Sequence, residues 1–223
     1  MKAKDVLTDH FSEPLNGATT AKIDIHAGDG NLTIDRFTGG EQVLASGMLQ
    51  YFENQGLPTR NLISSNGQAT LTLRGYGAGR PWFRFPWAAC NGATEWQIHL
   101  NPTVSSDIIA HSDGGNINLN LAGMAVTRVS ADTAGGNVDV DLPDNAADLS
   151  VAAKTGAGNV VVRVPSGMAV RIHATTGLGK AIVDPRFSKL DKNNYQTPDF
   201  DSAANKVDIT IHSGAGNVSV STK

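Results

Sequence analysis

The chain has 223 residues, with 18 Lys and Arg against 21 Asp and Glu and a formal charge of −3, which excludes a general electrostatic attraction to nucleic acid or anionic lipid. Cys90 is the single cysteine, so an intrachain disulfide framework and any multi-cysteine metal site are excluded. With 24 glycines and only 17% charged residues, the composition favours short strands joined by turns.

Residues 1–16 alternate charged and apolar side chains and contain no apolar run long enough for a signal peptide or a membrane span. The chain as written is therefore expected to be cytoplasmic, with no direct membrane span. Residues 1–20 are predicted to form a capping arm in which Val6, Leu7, Phe11 and Leu15 cover an open end.

From Gly28 onward six copies of one unit follow, of the form G-x-G-N-φ-x-φ with φ apolar. The fourth residue of that pattern, the anchor, is Asn31, Asn116, Asn137, Asn159, Lys180 and Asn217 in turn. Successive anchors are 85, 21, 22, 21 and 37 residues apart, and the first gap is about four periods. A fixed period of this size marks a repeat architecture. Positions 8, 6 and 4 before the anchor are Ile108/Ala110/Ser112, Val129/Ala131/Thr133, Val151/Ala153/Thr155, Ile172/Ala174/Thr176 and Ile209/Ile211/Ser213. Positions 1 and 3 after it are Leu32/Ile34, Ile117/Leu119, Val138/Val140, Val160/Val162 and Val218/Val220. Period-two alternation puts each set on one strand face, so every unit reads as strand, glycine-rich corner, strand.

The glycines would supply the positive φ of a sharp corner, and Asn31, Asn116, Asn137, Asn159 and Asn217 are predicted structural corner residues. There Asn can take left-handed geometry and bond unpaired backbone groups, stacking into a ladder. Ala at the middle core position implies a thin core. Pro102, Pro143 and Pro165 end strands at a second corner. The expected fold is all-β: a single β-solenoid spanning 1–223, β-helix-like, of about seven coils with a 21–22-residue repeat. Each coil advances the stack by about 4.8 Å, the strand spacing.

Two stretches interrupt the period. Residues 76–96 form an aromatic insertion with Tyr76, Arg80, Trp82, Phe83, Arg84, Phe85, Trp87 and Trp96. Exposed Trp, Phe and Arg anchor interfaces, so these are the candidate interaction residues; the same segment could equally fold over an open end. Residues 186–206 form a polar excursion with Phe187, Tyr195 and Phe200.

Enzymatic chemistry finds little support. Gly28-x-Gly30 and Gly156-x-Gly158 lie between strands and open no helix, which argues against phosphate binding. Asp29, Asp113, Asp139 and Asp141 occupy different phases, which argues against calcium. His26, His111 and His212 share one phase, but Asp132, Lys154 and Thr175 fill the intervening copies, and a solvated outward column is the default. No nucleophile elbow or Cys–His pair is visible. Asp139 and Asp141 project outward on one strand and read by default as solvent-facing residues; the carbohydrate-acting reading otherwise rests on the general link between β-helices and saccharides. No catalytic residue, cofactor or metal is therefore assigned.

Residues Gly167–Ile172, Arg186-Phe187, Tyr195–Phe200 and Asn205–Ile211 with Gly214–Val218 carry a resemblance, as does Trp96–Pro102 upstream. They resemble the toast-rack family of candidate adhesins and are similar to the C-terminal domain of cell-wall-active antibiotic response (LiaF-type) proteins. The resemblance covers about residues 95–223 and, more weakly, 20–75. It implies a β-repeat fold, cell-envelope or surface association through a partner, and no catalytic residues. Three functions follow as expectations: a non-catalytic scaffold or adhesin-like module that self-associates through its ends as a homo-oligomer or binds a protein partner; a cell-envelope stress sensor acting with a membrane partner; or, least supported, a carbohydrate-binding or carbohydrate-acting protein.

Overall fold

Alternating apolar residues give each strand one face to bury. The computed structural model, which describes residues 5–40, 42–76 and 94–223, buries those faces between two β-sheets. The first strands are β1 (Val6–Pro14), β2 (Thr20–His26), β3 (Asn31–Arg36), β4 (Val43–Phe52), β5 (Thr59–Ser65), β6 (Gln68–Arg74) and β7 (Glu95–Leu100). The central copies follow as β8 (Ser105–Ser112), β9 (Ile117–Asn120), β10 (Val126–Thr133), β11 (Val138–Asp141), β12 (Leu149–Ala157) and β13 (Val160–Val164). The last are β14 (Ala169–Leu178), β15 (Ala181–Val183), β16 (Ser188–Lys189), β17 (Asn194–Gln196), β18 (Lys206–Ala215) and β19 (Val218–Thr222). The fold is all-β; the helical structure among the described residues is one 3-10 turn, Glu53–Gln55.

The nine-stranded sheet runs β1-β4-β7-β3-β9-β11-β13-β19-β15, and the ten-stranded sheet runs β16-β17-β14-β18-β12-β10-β8-β2-β6-β5. Each repeat unit places its first strand in the ten-stranded sheet and its second in the nine-stranded one. One apolar core lies between the sheets. Ile108, Ala110, Val129, Ala131, Val151 and Ala153 enter it from one side, and Ile117, Leu119, Val138, Val140, Val160 and Val162 from the other. The register is in phase from unit to unit: Ala110 pairs with Ala131 and Ala131 with Ala153, all in parallel strands.

The order of the units in space differs from their order in the chain. The β2/β3 unit lies directly beside β8/β9, so Asn31 and Asn116 are neighbours although 85 residues separate them. That gap holds one outer unit, β6/β7, with β4 and β5 added antiparallel at the rim, where β1 from before the gap pairs with β4, and not four coils in sequence. At the other end the β18/β19 unit slides between β12/β13 and β14/β15, which places the later unit inside the earlier one.

The corners explain the repeat's fixed residues. A Cβ on Gly115 would overlap the carbonyl oxygen of Gly30. The same holds for Gly136 against Gly115, Gly158 against Gly136, Gly216 against Gly158 and Gly179 against Gly216. Among these only Gly158, Gly179 and Gly216 take positive φ, between 146° and 156°. Close backbone approach, not left-handed geometry, is thus what every unit demands of this position. The buried hydroxyls four residues before Asn116, Asn137, Asn159 and Asn217 donate to the same carbonyls: Ser112 to Gly30 (2.9 Å), Thr133 to Gly115 (2.8 Å), Thr155 to Gly136 (2.7 Å) and Ser213 to Gly158 (2.7 Å). A buried carbonyl without a donor is costly, and the hydroxyls remove that cost.

Along the outside of the corners runs a side-chain ladder. Asn31 Oδ1 accepts from the Asn116 backbone N–H, Asn116 from Asn137, Asn137 from Asn159, Asn159 from Asn217 and Asn217 from Lys180, each at 2.9 Å. None of these asparagines has positive φ; the side chains satisfy the corner from ordinary backbone geometry.

The close approach makes a paired prediction. Gly136→Ala is expected to lower stability in urea denaturation by about 1–3 kcal/mol, the usual cost of forcing extra volume into a packed site. Gly135→Ala next door, where a Cβ meets nothing within 4 Å, is expected to leave the midpoint nearly unchanged.

Candidate functional site

Of the expected interaction residues, Arg80, Trp82, Phe83, Arg84, Phe85 and Trp87 lie outside the described residues. Tyr76 follows β6 and is 46% exposed. Trp96 is only 1% exposed, which removes it from any contact surface in this chain. It sits on the same inward face of β7 as Ile98 and Leu100, and its indole N–H donates to the Gln50 carbonyl at 3.0 Å, so the one polar atom of the ring is satisfied within the fold. Tyr76 and Trp96 border a common hollow with Asp29, Gln50 and Pro58.

The two ends of the stack are finished differently. At the first end, β1 adds antiparallel to β4; Phe11 is buried and Leu15 packs against the core, whereas Val6 and Leu7 point outward. At the other end the polar excursion contains an apolar cover. Phe187, Tyr195 and Phe200 are buried, and β17 pairs antiparallel with β14, setting Ile172 opposite Tyr195. The Arg171 guanidinium stacks over Phe200 at 4.2 Å. That cover closes the ten-stranded sheet. The nine-stranded sheet ends on β15, whose outer side pairs with no strand among the described residues; Ile182 on β15 is 55% exposed and Leu178, at the end of β14 just before it, is 77% exposed. The asparagine ladder also stops here, because Lys180 receives the Asn217 side chain and offers no amide oxygen onward.

Asp139 and Asp141, the carboxylates that could suggest glycoside chemistry, share one cation. Arg163 on the adjacent strand donates to Asp139, with Nη2 2.9 Å from Oδ2, and lies 3.4 Å from Asp141. A guanidinium held between two carboxylates leaves neither placed as a general acid.

The outward row of the ten-stranded sheet reads Arg74, His26, His111, Asp132, Lys154, His212 and Thr175 in spatial order. It brings His26 and His111 side by side and leaves His212 apart. Their rings meet edge to face at 4.2 Å between centroids. Asp113, at the corner after β8, joins them: its Oδ1 is 3.1 Å from His26 Nε2 and 3.3 Å from His111 Nε2. Asp132 Oδ1 lies 3.2 Å from His111 Nδ1. Adjacency of two histidines 85 positions apart depends on the spatial order of the units, and the phase of the repeat alone does not supply it.

A profile described as the N-terminal domain of toast_rack, DUF2154, matches residues 2–163, and one described as cell wall-active antibiotics response LiaF, C-terminal, matches residues 115–220. No curated protein matches the chain. The structure is similar to that of a proposed cell adhesion protein from Clostridium sporogenes ATCC 15579, with 22% identity, 98% of this chain and 100% of that one covered, and a TM-score of 0.87. A proposed adhesin from Bacteroides fragilis NCTC 9343 aligns over 97% of both chains at 11% identity with a TM-score of 0.34.

Hydrogen bonds to Asp113 and then Asp132 push His111 up to about 9 from its ordinary 6.5, while His111 and His26 hold Asp113 well below the usual carboxylate range. A raised histidine stabilises the fold fully below its unfolded value and loses that contribution as pH rises through the folded one; a depressed carboxylate loses its contribution on the acid side. In buffer containing EDTA, the melting temperature of His111→Gln is therefore expected to fall furthest below wild type between about pH 4 and 6.5. The difference should shrink as pH rises through about 9.

Proposed function

Because the chain belongs to the toast_rack N-terminal domain family, we propose that it is a non-catalytic interaction module, a rigid β-solenoid whose free strand edge pairs with another protein chain. Its seven strand–corner–strand units are read as the coils of that solenoid, built on the 21–22-residue spacing of the central copies. The in-phase parallel register and the single continuous core support this reading.

The carrying observation is the contrast between the two sheets at one end. An unpaired strand edge presents free N–H and C=O groups that template pairing, and proteins usually cover or charge such edges. Here β16 and β17 cover the ten-stranded sheet, and β15 stays bare with Leu178 and Ile182 outward. Main-chain pairing along β15 would supply affinity and the two apolar side chains would supply selectivity. The partner is a second copy of this chain, so the module would associate end to end, as an adhesin-like scaffold.

A second reading, a regulatory part in the cell-envelope response acting with a membrane-anchored partner, is favoured by the match of residues 115–220 to the LiaF C-terminal profile. No helix among the described residues is long and apolar enough to cross a membrane; in this reading a protein partner supplies the anchor. Unchanged sensitivity to cell-wall-active antibiotics on deleting the gene would remove this reading.

Self-association is tested by sedimentation over a wide concentration range. Wild type is expected to show a concentration-dependent oligomer, and Leu178→Lys with Ile182→Lys is expected to weaken it about tenfold or more without altering the far-ultraviolet dichroism, the scale of losing an interface anchor. A wild-type protein that stays monomeric throughout overturns the proposal.

A further inference from the structure

The geometry points to a divalent transition-metal site, best suited to Zn²⁺, formed by His26 Nε2, His111 Nε2 and Asp113 Oδ1. The three donor atoms lie within 4.8 Å of one another, with Asp113 Oδ1 3.1 Å from one nitrogen and 3.3 Å from the other. A tetrahedral zinc ion holds imidazole nitrogen and carboxylate oxygen at about 2.0–2.2 Å, which sets any two of its ligands roughly 3.3 Å apart. The carboxylate-to-imidazole separations already match that spacing, so small side-chain motions would admit the ion.

The frame is rigid for a reason independent of the metal. His26 and His111 are directly opposed on the adjacent parallel strands β2 and β8. Asp113 begins the following corner, where its own N–H donates to the Gly28 carbonyl at 2.6 Å. The backbone that carries all three donors is therefore fixed by sheet and corner hydrogen bonds.

The surroundings favour a metal over a chance cluster. Asp132 Oδ1, 3.2 Å from His111 Nδ1, is placed to accept the N–H of that nitrogen, so Nε2 becomes the metal donor once the ion displaces the proton that His111 otherwise shares with Asp113. This carboxylate–histidine–metal relay is the usual outer support of a zinc ligand, fixing tautomer and ring orientation. Arg74, the next cation along the row, is held by Asp24 through two contacts of 2.8 and 2.7 Å, so its charge is answered away from the site. Lys154 lies beyond Asp132 and is separated from the donors by that carboxylate. Two imidazoles and one carboxylate suit Zn²⁺ or its first-row neighbours; the hard cations Ca²⁺ and Mg²⁺ prefer all-oxygen sets. The three ligands are partly exposed, so a fourth position opens to solvent for water or an incoming donor.

The site differs in kind from the edge on β15 and does not depend on the interaction reading. Its ion would clamp the β2/β3 unit to the β8/β9 unit, two segments joined in the chain only through the long excursion between them. Binding to the folded form alone stabilises it by mass action.

The test is titration calorimetry of the full chain, stripped with EDTA, using ZnCl₂ with CaCl₂ and MgCl₂ as comparisons, together with melting curves and Co²⁺ absorption. The expected result is one Zn²⁺ per chain, a raised melting temperature, a four-coordinate Co²⁺ spectrum and no comparable heat from Ca²⁺ or Mg²⁺. His26→Gln and Asp113→Asn should each weaken Zn²⁺ about tenfold or more, and Asp132→Asn about 10–100-fold through its hold on His111. His212→Gln, in the same row but away from the cluster, should leave affinity unchanged. The proposal is overturned if Zn²⁺ binds no more tightly than Mg²⁺, or if folded His26→Gln and Asp113→Asn variants bind Zn²⁺ as wild type does.

Discussion

Parallel strands stand about 4.8 Å apart, and in this protein the chain must turn a corner within that spacing at every unit. The corner glycine of one unit lies against the carbonyl of the glycine in the next, with no room for a Cβ between them. Because the contact is backbone on backbone, a flexible side chain cannot yield to relieve it. The remaining corner chemistry answers the same crowding. A buried hydroxyl reaches each enclosed carbonyl, and an asparagine amide bridges to the next backbone N–H on the outer side. Three rows of identical residue types therefore run along one rim of the molecule, and they hold the strands of both sheets in phase.

Phase is what makes the rest of the molecule readable. Since each strand is opposed to the residue of the same repeat position, any outward side chain has its counterparts directly above and below. On the nine-stranded sheet this gives the Asp139, Arg163 and Asp141 group, and on the ten-stranded sheet the row from Arg74 to Thr175. Charges of opposite sign fall beside one another along these rows, which suits a face that carries no second layer. Parallel sheets are commonly buried on both sides. Here the outward faces are polar, and their ion pairs and histidine–carboxylate contacts take the place of a covering layer.

The strands, their buried faces and the corner positions were legible in the sequence because period-two alternation and the Gly–Asn spacing recur with little variation. The spatial order was not. Every unit presents the same core pattern to its neighbours, so the pattern cannot say which two units touch, and the ranking is decided by the long excursions that carry the outer units past the inner ones. That ambiguity concealed the pairing of His26 with His111, since the 85-residue gap reads as distance when it is contact. It also hid the role of the serine and threonine hydroxyls, which look like ordinary strand residues until the neighbouring carbonyl is located. Trp96 misled for a different reason: beside an Arg- and aromatic-rich stretch it reads as part of a surface, whereas its register with Ile98 and Leu100 turns it inward.

The inserted β18/β19 unit has a consequence for how the molecule is made. Residues 169–183 leave the ribosome before residues 206–222, yet the latter supply the strands on which the former lie. The earlier segment can pair with β17 but lacks its parallel neighbours until the later one arrives, so the end of the stack cannot be laid down in the direction of synthesis. Contacts between distant segments are slow to form. A nascent chain halted between these two segments would present the bare rims of β12 and β13, which makes this the interval in which it is most exposed to pairing with a neighbouring nascent copy.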